Sequence, residues 1–153
     1  MNVSDILKLD CIKINSNAKS KNDLINEMLK LANNSGQIEN YKKAQEEIFK
    51  REKVMSTGIG KGIALPHAKT NAVKSIVGAL SILPSPLEFD SLDGKPVNIV
   101  FLLLGKENSV SMHLKILSKI SRLLNNENIK KQLLNSKDIS TIKMIIEKFE
   151  IEY

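Results

Sequence analysis

The chain has 153 residues, the size of one ordinary domain, and its 42% hydrophobic residues are enough to build a single sizeable core. Its 23 basic and 17 acidic side chains give a formal net charge of +6. The lysines are spread from Lys8 to Lys148, and only four Phe and two Tyr could stack on bases, so a nucleic-acid-binding surface is not favoured. Cys11 is the single cysteine, which excludes an intrachain disulfide and a cysteine-based metal cluster and is typical of a reducing compartment.

The first half of the chain predicts two helices. The opening MNVSDILKLDCIKI has no basic leader, and no stretch approaches the roughly 20 apolar residues of a membrane span, so we expect a cytoplasmic protein without membrane insertion. Residues 20–34 predict a helix, because Ser20 is a plausible N-cap and apolar residues follow at helical spacing until Gly36. A weaker pattern predicts a second helix over residues 41–50, with Asn40 as its cap.

The middle of the chain predicts strands. GIALP, SIVGALSIL and VNIVFLLLG are short apolar runs rich in Ile and Val, separated by turn residues such as DGKP at 93–96. The continuous apolar run over residues 99–104 indicates a strand that is buried on both faces. After Gly105, helical patterns return in VSMHLKILSKISRLLNN, NENIKKQLLNS and DISTIKMIIEKF. The pattern predicts a single α/β domain over residues 1–153, with a central mixed β-sheet flanked by α-helices on both faces.

The stretch STGIGKGIALPHAK at residues 56–69 is rich in glycine but fits neither common phosphate-binding fingerprint. Its glycines fall at positions 58, 60 and 62, which is not the G-x-G-x-x-G spacing of a dinucleotide site. The P-loop pattern needs a glycine where Met55 stands and a Ser or Thr where Gly62 stands. The glycines either make a turn into a strand or serve the histidine that follows them.

His67 is the candidate reactive residue of this stretch. Pro66 biases the residue before it toward an extended backbone, so His67 should be mounted on a strand end. There one ring nitrogen could be held by a backbone or side-chain acceptor while the other, unprotonated, attacks a phosphoryl group. Backbone N–H groups of the glycine stretch could then approach the phosphoryl oxygens. A purely structural histidine remains the alternative.

His113 is the second histidine, and helical geometry indicates that it faces the core. At about 100° per residue, Ile116, Leu117, Ile120 and Leu124 fall within about 60° of it on the helical wheel. It is either satisfied within the core or placed at the start of its helix to reach toward His67. Because no third His or Cys ligand can join the two histidines, a metal site is not expected.

Four segments resemble a known family when they are taken together. They are RE at residues 51–52, STGIGKGIALPHAK at 56–69, LDGKPVNIVFLLLG at 92–105 and HLKILSKISRLL at 113–124. In order and spacing they resemble the fructose and mannitol class of enzyme IIA in the phosphoenolpyruvate-dependent sugar phosphotransferase system, which includes nitrogen-related regulatory members. The opening SDILKLDCIKI and the helix after Ser20 are also similar, so the resemblance extends over nearly the whole chain.

The resemblance implies a phosphocarrier that works through a phosphohistidine during sugar uptake. In this family the histidine of the PH motif accepts a phosphoryl group from the phosphocarrier protein HPr and passes it to a cysteine of enzyme IIB, which implies that His67 is the acceptor. His113 and Arg51 match positions that resemble the supporting histidine and arginine of the same site. No cofactor is needed for this chemistry. Without the resemblance, Arg51 would be an exposed arginine at a helix end, favoured by the helix dipole.

Three positions depart from the family's usual residues, and two alternative functions remain. Lys61, Leu65 and Ala68 stand where the family commonly has Asn, Ile and Gly. Lys61 is expected to add a cation close to the phosphoryl group, and Ala68 to restrict the backbone beside His67. The first alternative is a nitrogen-related regulatory protein whose phosphorylation switches its protein partners. The second is a basic nucleic-acid-binding module driven by the charge of +6.

Overall fold

Six α-helices pack around a six-stranded sheet in the computed structural model, which describes residues 1–153. The helices are α1 (Val3–Ile6), α2 (Lys21–Asn33), α3 (Tyr41–Val54), α4 (Val110–Asn125), α5 (Glu127–Leu134) and α6 (Ile139–Glu152). The strands are β1 (Ile12–Lys13), β2 (Gly58–Gly60), β3 (Ile63–Ala64), β4 (His67–Thr70), β5 (Val77–Leu87) and β6 (Val97–Lys106). One turn of 3-10 helix, Leu9–Cys11, precedes β1.

Strand β6 is the centre of the sheet. It pairs with β5 in the antiparallel direction and with both β3 and β4 in the parallel direction. β3 lies along its first half, with Ile63 beside Ile99, and β4 lies along its second half, with His67 beside Leu103. β1 extends the sheet beyond β5, and β2 extends it beyond β3. The sheet is therefore mixed, which confirms the prediction.

Helices cover both faces of the sheet, as the apolar run in β6 predicted. Every β6 residue from Ile99 to Gly105 is buried. α2 packs on β5 and β6 and also on α3, whereas α4 packs on β6 together with α1 and α5, and α6 packs on α1 and α5. A continuous cluster of 40 buried hydrophobic residues joins these layers, so side chains at the edge of the sheet are mounted on a rigid base.

Helices α2 and α3 begin where the sequence predicted. The Ser20 side chain accepts a hydrogen bond from the third backbone N–H of α2, and the Asn40 side chain does the same for α3. α3 continues to Val54, however, because no glycine or proline interrupts it near Lys50. Arg51 therefore lies in the last turn of a helix rather than after it. No helix of the fold combines the length and the apolar character needed to cross a membrane.

The stretch GIALP does not form the single strand that the sequence predicted. β3 contains only Ile63 and Ala64, and a new strand, β4, begins at His67. Pro66 lacks a backbone N–H and interrupts the ladder, although its carbonyl still accepts a hydrogen bond from the Leu103 N–H. His67 is thus the first residue of a strand, and its backbone is fixed by pairing with β6.

A buried carboxylate joins the start of α2, the end of α3 and the segment that leads into β2. Glu52 is 8% exposed and accepts hydrogen bonds from both the N–H and the hydroxyl of Thr57. The Lys21 ammonium lies 3.0 Å from the same carboxylate and 4.8 Å from the centre of the Phe89 ring. Because Glu52 is so well satisfied, it fixes the last turn of α3, where the neighbouring Arg51 is found.

Glu52→Ala should lower the free energy of unfolding by about 3 kcal/mol, because it removes the nearer carboxylate partner of the Lys21 ammonium and leaves two Thr57 donors without their acceptor. Urea denaturation measures this change. Glu46→Ala removes the same charge from an exposed position on the same helix and should stay within about 0.5 kcal/mol of the unchanged protein. Equal effects of the two substitutions would contradict the structural role of Glu52.

Candidate functional site

An open groove of about 460 Å³ lies between the second half of α3, the edge strand β4 and the start of α4. All three site residues that the sequence indicated line it: Arg51, His67 and His113. The remaining lining residues are Glu47, Lys50, Val54, Ala68, Lys69, Val110, Leu114 and Leu117. The fold therefore brings together residues from three elements that are distant in the chain.

A backbone hydrogen bond orients the ring of His67. Its Nδ1 lies 2.8 Å from the carbonyl oxygen of Leu65, two residues earlier. A carbonyl oxygen can only accept, so Nδ1 donates its proton and the neutral ring keeps its lone pair on Nε2. The alternation of β4 places His67 on one face of the strand and the buried side chains of Ala68 and Thr70 on the other. This geometry meets the expectation of one held and one free nitrogen.

The surroundings of His67 keep the ring neutral. Burial lowers the pKa of His67 below its ordinary value, and this effect is larger than the rise that the hydrogen bond to Leu65 causes. The positive charges of Arg51 and Lys69 lower the pKa further, whereas the negative charge of Glu52 raises it. The free Nε2 is therefore unprotonated at neutral pH, which is the state that a nucleophile requires.

His113 faces the core and approaches His67. It lies in the first turn of α4, is 4% exposed, and its ring centre is 5.7 Å from that of His67 with the ring planes tilted by 45°. Its Nδ1 is buried without a hydrogen-bond partner. Burial, followed by the charges of His67 and Lys69, lowers the pKa of His113 to about 4. Both histidines are thus neutral at pH 7, and their rings are neighbours.

Arg51 lines the groove while it also ends its helix. Its Nη1 donates a hydrogen bond of 2.9 Å to the carbonyl of Met55, just beyond α3. Arg51 therefore lies both at a helix end and in the groove that contains His67, because the last turn of α3 forms part of the groove wall. The remaining guanidinium donors have no partner within the protein, and they are available to an anion in the groove.

Lys69 belongs to the groove, although the sequence analysis did not select it. It follows His67 by two residues on β4, so both side chains lie on the same face of the strand. Lys69 is exposed, and its ammonium makes no ion pair or hydrogen bond within the protein. The alternation of HAKT would have indicated this placement if the start of a strand at His67 had been recognised.

The glycine-rich stretch does not serve His67, which corrects the expectation from the sequence. A side chain at each of its three glycines would meet a residue of the 89–98 segment: Ser91 at Gly58, Asp93 at Gly60 and Asn98 at Gly62. Ile63 of β3 pairs with Ile99 of β6, whereas His67 pairs with Leu103. The two pairs are four residues apart along β6, which is roughly 13 Å. The glycines form a hairpin, which was the alternative.

Lys61 is also far from the phosphoryl position that the sequence analysis gave it. It lies at the tip of the β2–β3 hairpin in a left-handed conformation with φ of 57°, and its N–H donates to the Asp93 carboxylate. Its carbonyl accepts a hydrogen bond from Lys130 of α5. Lys61 and Gly62, whose φ angles are 57° and 80°, form the turn that closes the hairpin. The Gly62 carbonyl accepts hydrogen bonds from the N–H groups of Asn98 and Ile99, so the tip lies near the start of β6, away from the partner of His67.

The groove does not offer a set of metal ligands. No group of three or more His, Cys, Asp or Glu side chains lies close enough to hold a metal ion. The arrangement instead joins the free Nε2 of His67, a second neutral histidine and the cations Lys50, Arg51 and Lys69, with Glu47 as the one carboxylate of the lining. That set of groups suits an incoming phosphoryl group, whose charge is spread over three oxygens.

Sequence comparison identifies the family. The chain matches the family described as phosphoenolpyruvate-dependent sugar phosphotransferase system, EIIA 2, over residues 5–149. The chain belongs to this enzyme IIA family. It is 37% identical over 146 residues to the PTS system fructose-specific EIIABC component of Bacillus subtilis, which is 95% of this chain but 23% of that protein. It is also 37% identical over 138 residues to the nitrogen regulatory protein of Bradyrhizobium diazoefficiens, which is 90% of this chain and 87% of that protein.

Solved structures of other enzyme IIA proteins share the fold. The crystal structure of nitrogen regulatory protein IIA-Ntr from Neisseria meningitidis has a TM-score of 0.87 and 33% identity, and the match covers 94% of this chain and 98% of that one. The mannitol enzyme IIA of Escherichia coli, determined in complex with phosphorylated enzyme IIB, has a TM-score of 0.79 at 17% identity over 93% of this chain and 99% of that one. The mixed sheet with six helices thus matches the fold of these two enzyme IIA structures.

Lys69→Met should raise the pKa of both histidines, because it removes a positive charge that disfavours their protonation. NMR titration of the unphosphorylated enzyme IIA measures both values. In the unchanged protein, His113 should titrate near pH 4 and His67 below its ordinary pKa. Lys106→Met makes the same charge change at an exposed residue outside the groove and should leave both values in place. Unchanged titrations in Lys69→Met would place its ammonium away from the histidines.

Proposed function

We propose that this enzyme IIA is a cytoplasmic phosphocarrier and that residues 1–153 act as one unit. In this proposal His67 accepts a phosphoryl group from phosphorylated HPr and passes it to a cysteine of enzyme IIB during sugar uptake. The observation that supports this most directly is the hydrogen bond from His67 Nδ1 to the Leu65 carbonyl, which leaves Nε2 as the nucleophile. No cofactor or metal takes part in the reaction.

The reaction consists of two in-line displacements at phosphorus. In the first, the lone pair of His67 Nε2 attacks the phosphoryl group of the donor; the new N–P bond forms as the donor's N–P bond breaks, and the donor imidazole keeps the released electron pair. In the second, a thiolate of enzyme IIB attacks the same phosphorus, and His67 Nε2 recovers its electron pair. The Nδ1 proton stays on the hydrogen bond to Leu65 throughout, so no proton has to leave the ring.

Charge in the groove favours the phosphorylated state of His67. Arg51 and Lys69 line the groove together with His67, and both can approach the oxygens of a group bound to Nε2. His113, neutral at pH 7, can offer one N–H without repelling the other cations. Such donors stabilise the transition state because they are already oriented when the charge arrives.

The groove suits a protein as the other reactant. Its rim combines apolar side chains that are exposed to solvent, Val54, Val110 and Leu114, with the cations that surround His67. A group of exposed apolar side chains beside a reactive group is typical of a docking surface. This supports HPr and enzyme IIB as the donor and acceptor.

A second candidate uses the same chemistry for regulation. Two nitrogen regulatory proteins match this chain over most of their own length, at 37% and 33% identity. In this alternative, phosphorylation of His67 would change which proteins bind the groove. Transfer from the phosphorylated protein to purified fructose-type or mannitol-type enzyme IIB separates the two candidates: rapid transfer supports uptake, and a stable phosphoprotein supports regulation.

His67→Ala should abolish phosphorylation, because it removes the attacking nitrogen. Incubation with phosphoenolpyruvate, enzyme I and HPr should add one acid-labile phosphoryl group to the unchanged protein and none to this variant. His113→Gln is the matched control: it should still accept the group but transfer it about 10²- to 10⁴-fold more slowly, as is typical when a positioned catalytic group is lost. Undiminished labelling of His67→Ala would refute the proposal, and full labelling of His67→Ala but none of His113→Gln would reverse the two roles.

Arg51→Lys should slow phosphoryl transfer about tenfold to hundredfold, because a guanidinium can make paired hydrogen bonds to phosphoryl oxygens and an ammonium cannot. The melting temperature should change little, since the hydrogen bond from Arg51 to Met55 is exposed. Arg122→Lys, at an exposed position on α4 outside the groove, should affect neither rate nor stability. A destabilised Arg51→Lys protein with normal transfer would assign Arg51 to the helix end alone.

A further inference from the structure

The ring of His113 occupies space that a side chain at Gly105 would fill. A Cβ atom added to Gly105 would lie 2.3 Å from His113 Nδ1 and 3.3 Å from both Cε1 and Cγ. Real Cβ atoms do not approach ring atoms so closely, and the ring is buried, so it could not move aside without leaving its site. Nδ1 is therefore the ring atom that points at the backbone of β6.

Gly105 lies beside the reactive strand. It pairs with Lys69 of β4, and two residues earlier on the same two strands His67 pairs with Leu103. Because residues alternate between the faces of a sheet, the open space at Gly105 is on the same face as the His67 side chain. The absent side chain thus makes a depression in the sheet two positions from the nucleophile.

The orientation of His113 decides which of its nitrogens carries the proton. Nδ1 is buried and has no partner, and a buried N–H without an acceptor is rarer in proteins than an acceptor without a donor. The neutral ring has one donor and one acceptor nitrogen. The proton therefore resides on Nε2, on the side of the ring away from Gly105, and the low pKa of about 4 is in accord with a neutral ring at pH 7.

We propose that Gly105 is a positioning residue: its missing side chain receives the His113 ring with Nδ1 against β6, and this fixes His113 as an Nε2–H donor opposite the free Nε2 of His67. The two histidines then have opposite tautomers, with the proton of His67 on Nδ1 and that of His113 on Nε2. An acceptor nitrogen and a donor nitrogen in neighbouring rings can hold a phosphoryl group between them. This consequence for catalysis rests on the proposed function, whereas the orientation of His113 does not.

The tautomer can be measured in the unphosphorylated protein. In ¹⁵N NMR spectra at pH 7, His67 should show its proton on Nδ1 and His113 should show its proton on Nε2. Gly105→Ala should push the ring outward, raise the pKa of His113 from about 4 toward the ordinary value of roughly 6.5, and mix its tautomers. A His113 proton on Nδ1 in the unchanged protein would overturn the inference, even if the Gly105→Ala protein failed to fold.

Gly78→Ala is the matched control. It adds the same methyl group to the neighbouring strand, where the new Cβ would lie 2.9 Å from the Phe101 ring instead of a histidine. Both substitutions should lower the melting temperature, but Gly78→Ala should leave the pKa and the tautomer of His113 unchanged. A shift of His113 that is equal in both variants would show a general loosening of the sheet and would overturn the role of Gly105.

Phosphoryl transfer supplies the second readout. Gly105→Ala should slow transfer about tenfold to hundredfold, since small misplacements of catalytic groups have effects of that size. In a His113→Ala background, the same substitution should cause no further loss, because the ring on which it acts is absent. Additive losses in the double variant would overturn the inference. If the unchanged protein accepts no phosphoryl group at all, the proposed function fails, and the NMR measurements still decide the role of Gly105.

Discussion

The pairing of β4 with the second half of β6 is the constraint on which the rest of the site depends. β6 is buried over nearly its whole length and holds three other strands, so its position is set by the core. The register between the two strands then places His67 beside Leu103 and leaves Gly105 beside Lys69. α4 packs on the same strand, and the ring of its His113 lies against Gly105, in space that a side chain there would fill.

Charge and burial act against each other in the groove. Two neutral histidines and unpaired cations make a site that is positive but contains no proton on its nucleophile. Burial alone would favour a groove lined by uncharged side chains, because desolvation penalises the charged form of every ionisable group. The cations remain at the edge, where Lys69 is exposed and Arg51 donates to a carbonyl, so they keep most of their hydration until an anion enters. The site is thereby suited to gaining and losing a phosphoryl group reversibly.

The sequence predicted the fold well where local patterns are strong, and less well where partners distant in the chain decide. Ser20 and Asn40 cap their helices as expected, and the apolar run in β6 indicated a strand that is covered on both faces. The break at Pro66 was missed, because whether a proline ends a strand depends on the neighbouring ladder. The role of the glycine stretch was misjudged for the same reason: its contacts are with Ser91, Asp93 and Asn98, which no local pattern reveals. No local sequence pattern indicates a role for Gly105, because the reason for a glycine at this position is its contact with the ring of His113, which belongs to a different element, α4.

The acceptor that orients His67 is a main-chain carbonyl, and this has a consequence for how the protein can diverge. In many catalytic pairs the orienting group is a carboxylate, and one substitution there abolishes the correct tautomer. Here Leu65 contributes its backbone carbonyl while its side chain is buried in the core, so any apolar residue that fits the core and tolerates the extended conformation before a proline supplies the same acceptor. The tautomer of His67 is thus encoded by chain geometry rather than by a side chain, whereas its pKa depends on the charges of Arg51, Glu52 and Lys69.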